Sequence, residues 1–340
     1  MATNERLKEA RVNNKDEFYT LTEDIELELR NYKEYFRGKR IYCPCDDARW
    51  SNFWWYFVTR YNELELKSLD ASCFHEGQHG EHWHYEGKAP TEVIRQCVWD
   101  KDRSKLFAYC DYEVFEDEGG FQDRADIFAK TDVVVTNPPF SIFRNFVQTL
   151  QAHKLDFVIW GNTNAVIYRE MFNGLRNNTI FPGYLFNKQC VFRISDKYTE
   201  WNKEETEARD DGNHYAKVVV ATFTSFNVHK LHRPVEYYER YTAEKYPNFD
   251  NFEGINIDAA KKIPCDYTGI MGVPITWLSQ FCPDQFELLG ITNYKDLIGL
   301  PFTNNCYAEV NGVRKYVRIL IRWKPEAMPR INEKGVIIYD

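Results

Sequence analysis

The sequence has no apolar run of about 18 residues, so no membrane-crossing helix is expected. Its opening stretch, MATNERLKEARVNNKDEF, holds no apolar core of the kind that marks a secretory leader. The expected location is the cytoplasm. No Cys-x-x-Cys pair occurs. The nine cysteines are scattered and odd in number, which argues against a disulfide framework and fits buried free thiols in a reducing compartment. Internal repeats and long low-complexity tracts are also missing, which leaves an ordinary globular chain. Positive charge is in deficit. The 43 Lys+Arg stand against 51 Asp+Glu, a net −8, and that total argues against a polyanionic partner.

The distribution of charge changes that picture. Residues 227–340 hold 14 basic and 14 acidic residues, so the whole acidic excess lies in residues 1–226. Residues 110–132 carry eight acids against Arg124 and Lys130. The stretch 307–334 is locally basic, with Arg314, Lys315, Arg318, Arg322, Lys324, Arg330 and Lys334 against Glu309, Glu326 and Glu333. A basic face of this kind can bind a polyanion whatever the total charge. With 340 residues, the chain is long enough for a core domain and a smaller one.

Local patterns give the architecture. FYTLTEDIELELRNYKEYF begins with Thr20 and Glu23 at capping-box spacing, and Ile25, Leu29, Tyr32 and Phe36 then fall on one helical stripe. RIYCPC (40–45) reads as a strand running into an acidic loop, and SNFWWYFVTRY (51–61) as an apolar helix. Further strands are expected at ELKSLDASCF (65–74), KLFAYCDY (105–112), DVVVT (132–136), DFVIWGN (156–162) and AKVVVATFTSF (216–226). Phe143, Phe146, Val147 and Leu150 mark a helix with Ser141 as its cap. Apolar strands alternating with amphipathic helices imply an α/β chain with a mostly parallel sheet covered on both faces, and ligands in such sheets bind outside the carboxyl ends of the strands. From about residue 227 the rhythm is lost, and CYAEVNGVRKYVRILIRW (306–323) reads as a hairpin turning at Asn311-Gly312. A domain boundary is expected there, giving domains 1–226 and 227–340.

Asn137-Pro138-Pro139-Phe140 ends the DVVVT strand abruptly. Proline lacks an N–H, has a fixed φ, and pushes the preceding residue out of the helical region. The segment is therefore stiff and extended. The Asn137 side-chain oxygen and the Pro138 carbonyl can present two acceptors in fixed geometry. A planar aromatic amine such as adenine N6 offers two N–H donors. Binding both would draw that nitrogen toward tetrahedral geometry, and Phe140 could stack on the ring. Positioning and preorganised polarity would carry such catalysis, with no strong base required. A strand end punctuated by prolines is the plain alternative, and the Asn and Phe that flank the prolines favour the chemical reading.

These residues resemble the adenine-specific DNA methyltransferases, and among them the EcoRI-type family. The likeness also takes in KDEFYTLTEDIELEL, YCPCDDARWSNF and NFEGINIDAAKKIPCDYTGIMGVPITWLSQFCPDQFELLG (251–290), and so covers nearly the whole chain from Lys15. The resemblance implies a Rossmann-like catalytic domain that uses S-adenosyl-L-methionine, followed by a target-recognition region. It implies methyl transfer to adenine N6 in a short duplex DNA sequence. It also implies a monomer acting alone or beside a restriction endonuclease that shares its site without a stable complex. On this resemblance Asn137, Pro138, Pro139 and Phe140 match the catalytic motif, and Phe18-Tyr19-Thr20 the element bordering the cofactor's methionine end. Asp46 and Asp47 are candidates for the cofactor's amino group. The ribose acid would be Asp70 or Glu76, and the acid of the third-strand motif Asp117 or Asp123. The loop CPCDDARWSNF lacks the glycine-rich turn usual among methyltransferases.

Other features compete. His75, His79, His82 and His84 fall within ten residues, with Cys73 nearby. A second pair of ligands at zinc spacing is missing, so a solvated loop without metal is expected. The run WSNFWWYF reads as a core helix ahead of a base-stacking surface. Arg314, Arg318 and Arg322 are expected to meet phosphates from one strand face. RNA-adenine or protein-glutamine methylation is the alternative activity, since a side-chain amide resembles the adenine amine.

Overall fold

The computed structural model describes residues 18–75, 79–116, 124–194, 206–209, 212–303 and 305–339, with the side chains of 18, 19, 75, 194 and 206 outside that description. The chain divides into two compact units, one of residues up to 162 with 183–226, the other of 163–182 with 227–340. One of the breaks between the units falls between Phe226 and Asn227. The second unit also takes residues 163–182, which include helix Arg169–Arg176, and the two-segment division expected from the sequence omits them.

The first unit is built on one sheet. Its strands are β1 (Phe18–Thr20), β2 (Arg40–Cys43), β3 (Ser68–His75), β4 (His79–Tyr85), β5 (Asp111–Phe115), β6 (Val133–Thr136), β7 (Asp156–Gly161), β8 (Lys188–Ile194), β9 (Thr206–Ala208) and β10 (His214–Thr224). The spatial order is β1-β8-β10-β7-β6-β2-β3-β4-β5, with β9 beside β10. Only the centre is parallel: β7 on β6, β6 on β2 and β2 on β3. Both flanks are antiparallel, so the sheet is mixed where a mostly parallel one is expected. β6 and β7, two of the parallel strands, read as continuous apolar runs. All four residues of β6 are buried, as a strand covered on both faces requires.

Helix α1 (Thr22–Leu29) continues through a 3-10 turn to Phe36, and its stripe of Ile25, Leu29, Tyr32 and Phe36 is fully buried. The expected capping box is not formed. Leu21 holds the cap position without a side-chain bond, because Thr20 belongs to β1. Helix α2 (Asn52–Thr59) buries Phe53, Trp54, Tyr56 and Phe57 as a core helix. Helix α3 (Thr91–Asp100) follows β4, and helix α4 (Phe143–Ala152) follows β6. Ser141 does not cap α4. Ile142 holds that position, after its own N–H has bonded the Pro139 carbonyl at 3.2 Å. Gly161 ends β7 against the Phe143 ring, where an added Cβ would lie 2.6 Å from a ring carbon.

Two local expectations fail on the far flank. KLFAYCDY is a 3-10 turn over Ser104–Tyr109, and the strand starts only at Asp111. The histidine-rich segment is no solvated loop. It forms hairpin β3–β4 with His75 opposite His79, and the alternation of its side chains buries one face.

The second unit has a four-stranded sheet in the order β11-β12-β16-β13, from Ile255–Asn256, Met271–Pro274, Arg318–Trp323 and Phe286–Ile291. The expected hairpin is present as β14 (Glu309–Val310) and β15 (Val313–Arg314). Asn311 and Gly312 turn it at φ 50° and 71°, the left-handed pair that this turn demands.

Candidate active site

β2 and β6 are parallel neighbours, with Ile41 opposite Val133 and Tyr42 opposite Val134. The chain therefore leaves both strands at the same edge, and the loops after them meet. Thr136, the last residue of β6, donates its hydroxyl to Asp46 Oδ2 at 2.7 Å. Ser51 Oγ donates to Asp46 Oδ1 at 2.6 Å. The Asp46 N–H bonds the Ser72 carbonyl at 2.8 Å, which fastens this loop to β3. Both oxygens of a buried carboxylate thus rest on neutral hydroxyls, and no Lys, Arg or His among the described residues pairs with it. Burial outweighs the two bonds and pushes its pKa up to about 6.

Ser51 also starts α2. Its Oγ accepts the N–H groups of Phe53 and Trp54 at 3.1 and 3.2 Å while donating to Asp46, which uses both sides of the hydroxyl. The loop is ordered by a serine cap and a carboxylate in place of glycines.

Asn137 leaves the end of β6, with Pro138 buried and Pro139 and Phe140 half-buried. Its Nδ2 donates to Thr20 Oγ1 at 3.3 Å. The Thr20 carbonyl accepts from Asn52 Nδ2 at 2.9 Å, and Asn52 Oδ1 accepts from Arg103 at 3.0 Å. Arg103 also donates to the Ser51 carbonyl at 2.6 Å. The structure therefore brings together Thr20, Asp46 and Asn137 of the expected residues. It adds Ser51, Asn52, Arg103 and Thr136. A serine opening an apolar helix is a readable cap signal, and a polar residue closing a valine run is another. Nothing local marks Arg103.

The remaining cofactor candidates stand elsewhere. Asp47 is bound by Arg49 through both oxygens, at 2.8 and 2.7 Å. Arg49 also bonds Glu81, which accepts from the Tyr112 hydroxyl at 2.9 Å. Asp47, Cys73 and Glu81 converge closely enough to suggest a metal cluster. A guanidinium already neutralises both acids, and burial pushes the Cys73 thiol well above its ordinary pKa, so the trio is a poor ligand set. Asp70 stands in mid-strand opposite Tyr42, away from the carboxyl end expected of a ribose acid. Its Oδ1 accepts from His82 Nε2 at 2.9 Å and His84 Nδ1 at 2.8 Å. Burial would raise its pKa, and the two histidine bonds outweigh that and hold it below the usual value. Among the described residues, Glu81, opposite Cys73 near the end of β3, is a buried acid near the expected level. Glu76, Asp117 and Asp123 lie outside the described residues, as do the side chains of Phe18, Tyr19 and His75.

The three arginines differ in their surroundings and exposure. Arg314, on the hairpin, is exposed and lies over the Tyr307 ring, 3.5 Å from its centroid. Arg322 is exposed and paired with Glu287 at 2.8 Å. Arg318 is buried, with Nε on Asn256 Oδ1 at 3.0 Å and one Nη on the Tyr316 carbonyl at 3.0 Å. Arg318 and Arg322 belong to one central strand, yet one is buried and the other exposed, so four-residue spacing does not translate into shared exposure.

Comparison with known proteins identifies the family. The profile of the family described as "Adenine-specific methyltransferase EcoRI" matches residues 6–324. Type II methyltransferase M.EcoRI of Escherichia coli is 36% identical over 336 residues, covering 95% of this chain and 98% of the relative. Type II methyltransferase M.MgeORF184P of Mycoplasma genitalium is 31% identical over 93% of this chain and 97% of its own. Type II methyltransferase M.MpnI of Mycoplasma pneumoniae is 30% identical over the same shares, 93% and 97%. No solved structure matches the chain. With a family profile spanning nearly its whole length, the chain belongs to the EcoRI family of adenine-specific methyltransferases, enzymes that act on DNA and need a methyl donor.

Proposed function

We propose that this chain transfers a methyl group from S-adenosylmethionine to N6 of one adenine in a short duplex DNA site. The observation that carries the proposal is the Asn137 amide held by Thr20 at the edge where the β2 and β6 loops meet. An amide that donates through Nδ2 to Thr20 turns its Oδ1 to the opposite side. The Pro139 carbonyl accepts from the Ile142 N–H. Asn137 Oδ1 and the Pro138 carbonyl are the two acceptors assigned here to the N6 hydrogens. Holding both hydrogens localises the nitrogen lone pair for attack. Phe140 supplies a ring against which the extruded base can stack.

The donor set fits the methyl donor. Asp46 is a buried carboxylate without a cationic partner among the described residues, which suits the α-ammonium of an amino acid. When bound, S-adenosylmethionine supplies an electrophilic methyl carbon on a sulfonium. Asp46, Ser51 and Thr20 orient its amino-acid end, and Asn137 with Pro138 orients the amine. Residues 227–340 form the recognition part, with Arg314 on the exposed hairpin as a phosphate contact. The enzyme works as a monomer in the cytoplasm, beside a restriction endonuclease of the same site where one exists. Among the described residues no helix is long and apolar enough to cross a membrane.

The test is transfer of tritiated methyl from S-adenosylmethionine to duplex DNA, RNA and protein, with the product nucleoside identified. Label recovered as N6-methyladenine from duplex DNA is the expected result. Label in RNA or in protein glutamine, with none in DNA, would replace the proposal by the alternative activity.

A further inference from the structure

Arg103 lies between α3 and the 3-10 turn Ser104–Tyr109. It is half-buried. Its guanidinium donates to the Ser51 carbonyl at 2.6 Å and to Asn52 Oδ1 at 3.0 Å, and lies 5.1 Å from the centroid of the Trp55 ring. All three partners are neutral. No Asp or Glu among the described residues pairs with it, and burial alone lowers its pKa to about 10. A guanidinium has five N–H donors in a planar fork, and the two hydrogen bonds leave others for a ligand.

Ser51 links this cation to an anion. Its carbonyl meets Arg103, and its hydroxyl meets Asp46, a buried carboxylate that also lacks a counter-ion among the described residues. An α-amino-acid zwitterion carries the complementary pair, an ammonium and a carboxylate. Resting on the reading above, in which Asp46 receives the ammonium of S-adenosylmethionine, we infer that Arg103 receives the α-carboxylate of the same molecule. The planar fork suits a carboxylate, where two N–H bonds run side by side. Its neighbours favour this ligand over a DNA phosphate. Asn52, which Arg103 holds, bonds Thr20, and Thr20 bonds Asn137, so the arginine belongs to the wall of the methyl-transfer site.

The experiment measures binding, by calorimetry on the full chain, of S-adenosylhomocysteine and of 5′-methylthioadenosine, which lacks the amino-acid end. The parent is compared with Arg103→Met and Arg103→Lys, and duplex DNA affinity is measured beside them. The inference expects Arg103→Met to weaken S-adenosylhomocysteine by about tenfold or more. Arg103→Lys should recover part of that, and 5′-methylthioadenosine should bind all three proteins alike. Equal losses for both ligands would show a merely structural arginine and overturn the inference. So would an unchanged S-adenosylhomocysteine affinity, or a loss confined to DNA, which would mark a phosphate contact. A parent protein that binds neither compound would remove the S-adenosylmethionine reading itself, and this inference with it.

Discussion

Thr136 and Asp46 are joined by a 2.7 Å hydrogen bond across 90 positions of sequence. The bond ties the loop after β2 to the strand that delivers Asn137. It also contributes to a carboxylate whose desolvation exceeds its hydrogen bonding.

That imbalance gives a pH signature. The folded pKa of Asp46 is about 6 against an ordinary 3.8, so between these values the folded state holds the extra proton. Stability from this group is therefore gained as pH falls through about 6 and lost as pH rises. Asp46→Asn should be more stable than the ligand-free parent at pH 8, by on the order of 3 kcal/mol. The difference should close toward pH 4. Urea unfolding of both proteins at the two pH values measures it, and a pH-independent difference would contradict the assignment.

Arg318 is a structural residue. Removing its side chain leaves Asn256 Oδ1 and the Tyr316 carbonyl without their donor, and Asp258 without its ion-pair partner. Arg318→Met should cost about 2–4 kcal/mol in urea unfolding. Arg322→Ala, which breaks only an exposed pair with Glu287, should cost under about 1 kcal/mol. Equal costs would show that burial does not separate the two arginines.

The exposed side of the hairpin is where charge can meet phosphate. Arg314→Ala with Lys315→Ala should weaken binding to cognate and non-cognate duplexes alike. Each phosphate-neutralising charge removed should flatten the salt dependence by about one unit. Binding titrations over a range of salt concentrations give the slope, and an unchanged slope on both duplexes would move the DNA surface elsewhere.

An N6 amine in a base pair is engaged and cannot reach a pocket at a sheet edge. With 2-aminopurine at the target position, fluorescence should rise when the protein binds. A flat signal in a saturated complex would show that the base stays stacked.

Much of the fold is legible in the sequence. The central strands carry their own signature, because burial on both faces demands unbroken runs such as Val133–Val135. Asn311-Gly312 is readable because few dipeptides accept two left-handed residues in succession. The proposed site shows in the sequence at Asn137, where two prolines fix the backbone, and at Asp46. The flank is harder to read. His82 and His84 look solvated by composition, yet the alternation of β4 and the acid at Asp70 bury one side of them. Arg318 defeats a reading from spacing, because spacing along a strand does not reveal what packs over each position, here Asn256 and the Tyr316 carbonyl. Arg103 reaches the site from a distant loop, and no local pattern encodes such an approach.

The proposed mechanism turns on activation of the adenine amine by the Asn137 amide. Single-turnover formation of N6-methyladenine, with duplex and S-adenosylmethionine both saturating, tests it directly in the parent and in Asn137→Ala. Loss of one preorganised acceptor costs about 3 kcal/mol of transition-state stabilisation, so the rate should fall about a hundredfold or more while both ligands still bind. A parental rate in the Asn137→Ala protein would contradict that mechanism.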